Sequence, residues 1–195
     1  GLAGCSPVAT EVPSSPTTMI TPFPTAPMPP PQSTSSGTIL YESGLAIWKM
    51  NGDGTDKQVV VPNGSVGHSP QRPRWSPDGT EIAFHKPDSG ESAVMVAPSD
   101  RRSVAQVASA PLTWLPSWSP SGLELAFRSN RTGQFEAWVV SREAIGEPWR
   151  EATQMTDFGC EPSDWAPDGS GVLCQAGGEI LLASREGEIL WRYDP

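Results

Sequence analysis

Few residues of this chain have the types and spacing that enzyme chemistry requires. The sequence has two histidines, His68 and His85, and it contains no Gly-x-Ser-x-Gly, His-Glu-x-x-His, Gly-Lys-Ser/Thr or Cys-x-x-Cys motif. We therefore expect no cofactor, no metal site and no enzymatic activity. The remaining candidates are charged and aromatic side chains near a repeated phrase, and such side chains suit binding better than bond cleavage.

The repeated phrase reads RWSPDGTEIAF from residue 74, SWSPSGLELAF from residue 117 and DWAPDGSGVLC from residue 164. Proline pre-sets the second position of a type I turn, and glycine lets the chain leave that turn. Each phrase therefore predicts a strand, a tight turn and a second strand. The residues that carry the repeat are Trp75, Pro77, Gly79, Trp118, Pro120, Gly122, Trp165, Pro167 and Gly169.

The spacing of the phrase indicates the elements that hold these residues. The three tryptophans recur after 43 and then 47 residues, and several short apolar segments follow each one. A period in the forties with several strands per period is typical of β-propeller blades. From residue 38 onward we predict an all-β fold with three four-stranded antiparallel blades. A three-stranded blade precedes them, because no Trp-Ser-Pro phrase matches in the Pro-rich segment before residue 38.

The phrase W-S-P-D-G-x-x-I-A-F, with SNRTG at 129–133 and IWKMNGDG at 47–54, resembles the TolB-like (WD40-like) β-propeller repeat. The resemblance covers residues 38–195 and implies six or seven blades. About four visible blades would then mean an incomplete or truncated propeller, a small four-bladed ring, or two chains that complete each other. The same repeat occurs in the propeller halves of prolyl-oligopeptidase-type peptidases, so it implies a fold more than a function.

The N-terminal residues differ in kind from the rest. Leu2-Ala3-Gly4-Cys5 resembles a bacterial lipobox, which makes residues 1–5 a signal-peptide remnant and Cys5 the lipidated residue. Residues 6–37 are mostly Pro, Thr and Ser with one charged residue, so we expect a disordered tether. A membrane anchor at Cys5 implies an extracytoplasmic place in the cell envelope, periplasmic or at the cell surface. An incidental exposed cysteine is the alternative.

Charge and cysteine content narrow the partners further. The net charge of −9 argues against nucleic acid, because phosphate contacts need a basic face. Cys160 and Cys174 flank the third turn. They either form a disulfide in a slanted register, or Cys174 is a free core residue in the slot that Phe84 and Phe127 fill elsewhere.

In a propeller the first strand of each blade lines the central channel. This arrangement would gather candidate ligand-binding residues at one mouth, with Trp114 and His68 in the loops there: Arg72, Arg74, Glu161, Asp164, Trp114 and His68. Each one alone also suits a solvated loop. We expect a non-catalytic module that docks a protein, peptide or cell-envelope ligand. The alternatives are the propeller portion of a larger hydrolase whose catalytic domain is absent from this chain, and an assembly part that self-associates through open blade edges.

Overall fold

The computed structural model describes residues 37–100 and 103–193. They belong to one compact unit, Ser35–Pro195, whereas the predictions for residues 1–5, including Cys5, and for the tether before residue 37 lie outside the described residues. The described residues form fifteen strands, as predicted, and no helix. Consequently, no helix in this part of the chain has the length and apolarity of a membrane span.

The strands form four antiparallel sheets in chain order. Sheet 1 has three strands, β1 Thr38–Ser43, β2 Ala46–Asn51 and β3 Gln58–Val61. Sheet 2 comprises β4 Gln71–Trp75, β5 Glu81–Lys86, β6 Ser92–Pro98 and β7 Ala105–Ala110. Sheet 3 comprises β8 Thr113–Trp118, β9 Glu124–Ser129, β10 Glu136–Ser141 and the short β11 Thr153–Gln154. Sheet 4 comprises β12 Glu161–Trp165, β13 Val172–Ala176, β14 Glu179–Ala183 and β15 Ile189–Tyr193.

Each repeated phrase forms the predicted hairpin at the start of sheets 2, 3 and 4. In the first phrase the Gly79 N–H donates to the Ser76 carbonyl at 2.9 Å, and the Ser76 hydroxyl donates to Asp78 at 2.6 Å. Gly79 has a φ of 70°, which glycine adopts without strain. The Ser76 hydroxyl also accepts from the Glu81 N–H, which starts β5. The third phrase cannot make this last bond, because Ala166 replaces the serine.

Consecutive sheets pack face to face through three apolar clusters. Phe84 and Phe127, from the same position of the phrase, are both fully buried. Phe84 packs between sheets 1 and 2, and Phe127 packs between sheets 2 and 3. Burying such a side chain contributes about 1.5–3 kcal/mol. The apolar alternation after each turn is therefore the main source of stability at these interfaces.

Sheet 4 has one buried and one exposed face. Cys174 and Leu181 are buried against sheet 3. The opposite face exposes apolar side chains from β13, β14 and β15, including Leu173, Ile180, Trp191 and Tyr193. The rings of Trp191 and Tyr193 stack on this face with centroids 6.2 Å apart. Sheet 4 thus carries a contiguous apolar surface, unlike the central sheets, whose two faces are both covered.

Cys160 and Cys174 form a disulfide with a Cα–Cα distance of 5.3 Å. The alternative of a free core cysteine at position 174 is therefore wrong. Cys174 pairs with Pro162 across the sheet, so the bond to Cys160 is slanted by two positions. A loop of this length, with the cysteines 14 residues apart, stabilises the fold by about 3 kcal/mol in a chain-entropy account.

Candidate functional site at the inner strands

The first strand of each four-stranded sheet is an edge strand that pairs on one side only. We call β4, β8 and β12 the inner strands. β8 lies beside both β4 and β12. Two positions on these strands carry four of the predicted residues. The fourth residue before the repeated tryptophan is Gln71 in β4, Trp114 in β8 and Glu161 in β12. The residue directly before that tryptophan is Arg74, Ser117 and Asp164 in the same three strands.

Trp114 is the centre of a cluster that joins sheets 2, 3 and 4. Its ring stacks on His85 with centroids 6.3 Å apart and meets Phe135 edge-on at 6.1 Å. The Arg128 guanidinium carbon lies 3.7 Å from the Phe135 centroid and 5.4 Å from that of Trp114. Arg128 also forms an ion pair of 2.7 Å with Glu161. We call these five residues, His85, Trp114, Arg128, Phe135 and Glu161, the aromatic–arginine cluster.

Strand pairing explains why these residues meet. β9 places Arg128 directly opposite Trp114 across the sheet. β5 places His85 opposite Gln71, which is the matching position in sheet 2. Since side chains on neighbouring strands at one position are close enough to interact, the arginine and the ring share a face. The interpretation of Trp114 as a loop residue is wrong, because it lies within β8.

Several buried polar atoms of the cluster have no hydrogen-bond partner among the described residues. They are both ring nitrogens of His85, Nε1 of Trp114 and Nε of Arg128. Buried polar groups in proteins are nearly always hydrogen-bonded, so each exception needs an explanation such as a bound water, an ion or a functional role. The side chain of Arg128 is only 15 % exposed, so the guanidinium is held in place before any ligand arrives.

Burial lowers the pKa of His85 from 6.5 to about 4, and the positive charge of Arg72 acts in the same direction. The imidazole is therefore neutral near pH 7. A neutral imidazole has one N–H donor and one acceptor nitrogen. The cluster thus offers donors from Trp114 and Arg128, and both a donor and an acceptor from His85.

Arg72 is exposed at the start of β4 and has a φ of 52°. Its backbone N–H donates to the Glu42 carboxylate at 2.6 Å, which ties β4 to β1. Leu115, the matching residue of β8, has a φ of 56°. This shared left-handed residue coincides with an irregularity in each strand pairing, so it belongs to the inner-strand geometry.

The remaining predicted residues lie away from the cluster contacts. The carbonyl of Arg74 accepts a hydrogen bond from the Trp118 indole at 3.2 Å. Asp164 accepts from the Ser117 hydroxyl at 2.8 Å, so these positions link neighbouring inner strands. His68 lies 3.3 Å from Asp88, and its side chain is 46 % exposed.

Sequence reasoning did not select Arg128 and Phe135, and it treated His85 as an ordinary strand residue. Counting outward from the second turn pairs Trp118 with Leu125 and Ser117 with Ala126, as observed. The same count would pair Trp114 with Ser129. The irregularity at 115–116 shifts the partner to Arg128. The sequence thus predicts a partner for Trp114 that is the direct neighbour of Arg128. The shift that pairs Trp114 with Arg128 itself is a property of the folded strand.

Antiparallel sheets that follow one another along the chain, start from an inner edge strand and pack face to face are the blades of a β-propeller. No family model matches this sequence, and no curated protein matches it. Solved structures do match. TolB from Acinetobacter baumannii is 18% identical with a TM-score of 0.60, and the match covers 78% of this chain and 39% of that one.

Two other structures extend the comparison. A chain of the nidogen/laminin complex is 12% identical with a TM-score of 0.62, and the match covers 81% of this chain and 59% of that one. A prolyl endopeptidase is 16% identical with a TM-score of 0.57, and the match covers 83% of this chain and 29% of that one. At these identities the likeness shows the β-propeller fold alone. The chain spans less than two thirds of the length of each of these structures.

Proposed function

We propose that this chain is a non-catalytic propeller module that docks a protein, peptide or cell-envelope ligand at its inner strands. The observation that carries the proposal is the aromatic–arginine cluster, where Nε1 of Trp114 and Nε of Arg128 are buried donors without a partner among the described residues. Tryptophan and arginine are the side chains most enriched at the centres of binding interfaces. Free N–H donors call for acceptor oxygens, such as the main-chain carbonyls or the terminal carboxylate of a peptide.

The proposal extends to Arg72, Arg74, Asp164 and His68 as outer contacts. Arg72 and Arg74 are exposed, and both are cations in a chain of net charge −9. An acidic or carboxylate-bearing segment would be attracted to these arginines and repelled by most of the remaining surface. His68 contacts Asp88, which is not one of the proposed residues, so its link to the proposed site is the weakest of the four.

We place the module outside the cytoplasm, anchored through lipid on Cys5. The Cys160–Cys174 disulfide supports an oxidising compartment, because disulfides persist mainly in exported proteins. Metabolic labelling of the expressed chain with a lipid precursor tests the anchor, and Cys5→Ser should abolish the label. Incorporation that is equal in the variant would rule out Cys5 as the lipidated residue.

The docking proposal can be tested with peptides selected on the immobilised full chain from a random phage-displayed library. We expect Trp114→Ala, and Arg72→Ala combined with Arg74→Ala, to weaken binding of the selected peptides by about tenfold or more. Arg150→Ala is the matched control, since Arg150 forms an exposed ion pair with Glu143. Peptides that bind all variants equally, or a selection that yields none, would refute the assignment.

A second candidate function is that of a propeller portion of a peptidase-type hydrolase. The likeness to a prolyl endopeptidase favours it, although that match covers only 29% of that chain. Purified chain should then associate with a separate hydrolase domain and change its rate on prolyl peptides. Self-association through open blade edges, such as that of β15 in sheet 4, is a further proposal. Its test is the solution mass of the chain before and after Trp191→Glu.

A further inference from the structure

The aromatic–arginine cluster contains one anion, Glu161, in a site that otherwise offers donors and positive charge. The nearby cations are Arg128, with which Glu161 pairs, and Arg72, whose charge adds to burial in lowering the pKa of His85. A carboxylate in such a place is either a permanent part of the fold or an occupant that a ligand with the same group replaces. The contacts of Arg128 distinguish these two roles.

Arg142 shows how this chain holds an arginine in a permanent ion pair. Its two terminal nitrogens both donate to the Glu81 carboxylate, and one of them also donates to the Gly122 carbonyl. Both partners of this pair are largely buried. Arg142 and Arg128 each leave Nε without a hydrogen-bond partner among the described residues, so the difference between them lies in the carboxylate.

The carboxylate beside Arg128 is held far less firmly. Oε1 of Glu161 lies 2.7 Å from Nη2 of Arg128, but the side chain of Glu161 is 48 % exposed, whereas that of Arg128 is 15 % exposed. Exposed ion pairs contribute little to stability, because water competes for the charged groups. A largely buried guanidinium, in contrast, needs an anion beside it. Arg128 therefore requires a carboxylate, but the one that it has is exchangeable.

We propose that Glu161 occupies the place of a peptide ligand's carboxylate, which displaces it from Arg128. Nε and Nη2 project from one edge of the guanidinium, and a carboxylate that meets this edge squarely accepts from both nitrogens. Glu161 already reaches Nη2, so a carboxylate can approach this edge, and the ligand adds the bond to Nε that Glu161 does not make. The inference rests on the proposed function, because it names the group that a docked peptide presents to the cluster.

The exchange requires the movement of one side chain only. The main chain at Glu161 is held by pairing with Gln175 and by the disulfide of the preceding residue, Cys160. The guanidinium of Arg128 lies against the Phe135 ring, so it stays in place when the Glu161 side chain rotates away. Rotation of an exposed side chain takes picoseconds to nanoseconds, and neither sheet has to move.

The rings of the cluster suit the peptide group next to a carboxylate. Trp114 has an indole donor, and the neutral imidazole of His85 has one donor and one acceptor nitrogen. A peptide group has a carbonyl acceptor and an N–H donor, which match these two rings. A chain-terminal carboxylate and the side chain of an aspartate or glutamate share this chemistry, and different probes separate the two sources.

Glu161 also makes the site selective. An incoming anion gains only the difference between its own contacts with Arg128 and those that Glu161 gives up. An anion that contacts the guanidinium alone gains little from the exchange. A carboxylate attached to a peptide group gains the contacts with the rings as well, so the competitor selects for peptides.

The test titrates the full chain, labelled with ¹⁵N-tryptophan, with three small probes. N-acetylglycine has a terminal carboxylate, the N-methylamide of N-acetylaspartate has a side-chain carboxylate, and N-acetylglycinamide is neutral. The readout is the Trp114 indole resonance, identified as the one that Trp114→Phe removes. We expect at least one carboxylate probe to shift this resonance saturably, and N-acetylglycinamide to leave it in place. The carboxylate probe that binds more tightly identifies the source of the carboxylate.

Removal of the competing carboxylate should strengthen binding. Glu161→Gln keeps the shape of the side chain, and we expect it to lower the dissociation constant of the carboxylate probe about three- to fivefold. Glu143→Gln is the matched control, because it removes an equal charge from the exposed ion pair with Arg150 and should change nothing. Arg128→Lys keeps the positive charge but loses the two-nitrogen edge, and it should weaken binding roughly tenfold. Should Glu161→Gln fail to fold, Glu161→Ala takes its place.

Three results would each overturn the proposal: equal or weaker binding in Glu161→Gln, the same gain in Glu143→Gln, or a Trp114 resonance that no carboxylate probe shifts. These results are distinguishable from a failure of the proposed function. Selected peptides that depend on Trp114, without a gain in Glu161→Gln, would leave docking in place and refute the exchange. A gain with the probes after a failed peptide selection would refute docking and support the exchange on Arg128.

Discussion

The interface between sheets 1 and 2 and the interface between sheets 2 and 3 are built from the same repeat, but they differ in their polar contacts. Both bury apolar residues, such as Phe84 in the first and Phe127 in the second. Only the second has an inner strand on both sides. There the Trp118 indole is hydrogen-bonded, whereas the Trp75 indole has no partner in the part of the chain that the structure describes. The apolar contacts thus come from the strand faces, and the polar contacts come from the inner strands and turns.

The second interface also contains a buried ion pair that spans the two sheets. Arg142 follows β10 and donates to the Glu81 carboxylate from both terminal nitrogens, at 3.0 and 2.5 Å. It donates to the Gly122 carbonyl as well. The pattern recurs 43 residues later, where Arg185 pairs with Glu124 at 2.6 Å. β1 begins with Thr38 at the matching position, so the interface between sheets 1 and 2 lacks the carboxylate.

Removal of this ion pair should produce the largest difference between the interfaces. The side chain of Arg142 is 2 % exposed and that of Glu81 is 14 % exposed. Arg142→Ala would leave the Glu81 carboxylate without its cation and the Gly122 carbonyl without its donor. We expect a loss of about 3–5 kcal/mol in the free energy of unfolding, measured by urea denaturation.

Arg185→Ala is the matched control, since Arg185 is 38 % exposed and water replaces its charge more easily. We expect the control to lose no more than about 1 kcal/mol. Equal losses in the two variants would mean that the burial of Arg142 does not determine how much its ion pair contributes to the free energy of unfolding. A loss below about 1 kcal/mol for both would show that neither ion pair contributes much to the stability of its interface.

The burial of His85 makes the same interface sensitive to pH. The pKa of His85 falls from 6.5 in the unfolded chain to about 4 in the fold. Below pH 6.5 the unfolded chain therefore binds more protons at this residue than the folded chain does. The contribution of neutral His85 to the free energy of unfolding is fully present above pH 6.5 and is lost as the pH falls towards 4. The loss amounts to up to about 3 kcal/mol.

The measurement is the free energy of unfolding between pH 7 and pH 4 for wild type and for His85→Gln. Carboxylates also titrate in this range, so the informative quantity is the difference between the two curves. Wild type should lose more stability than the variant, mainly between pH 6.5 and pH 4. His68→Gln should follow wild type. Parallel curves for wild type and His85→Gln would contradict the lowered pKa.

The repeat made much of the fold predictable, and its exceptions limited the prediction of the site. The period and the turn chemistry were enough to predict fifteen strands and the hairpins at Pro77, Pro120 and Pro167. The sequence did not decide whether Cys160 and Cys174 form a disulfide, because a free cysteine at position 174 suits the buried apolar position equally well. The contact of Arg128 with Trp114 depends on an irregular strand pairing, which no local pattern specifies. The 43-residue spacing relates the Arg142–Glu81 pair to the Arg185–Glu124 pair, but it does not show that Arg142 is buried and Arg185 is not.

The smallest expected effect separates the two interfaces most directly. Trp118→Phe and Trp75→Phe make the same chemical change at equivalent positions of the repeat. Only Trp118→Phe breaks a hydrogen bond, so it should cost about 1 kcal/mol more than Trp75→Phe in the free energy of unfolding. Removal of an unpaired buried donor from Trp75 offsets part of the packing loss there. Equal costs would mean that the Trp75 indole has a hydrogen-bond partner in solution.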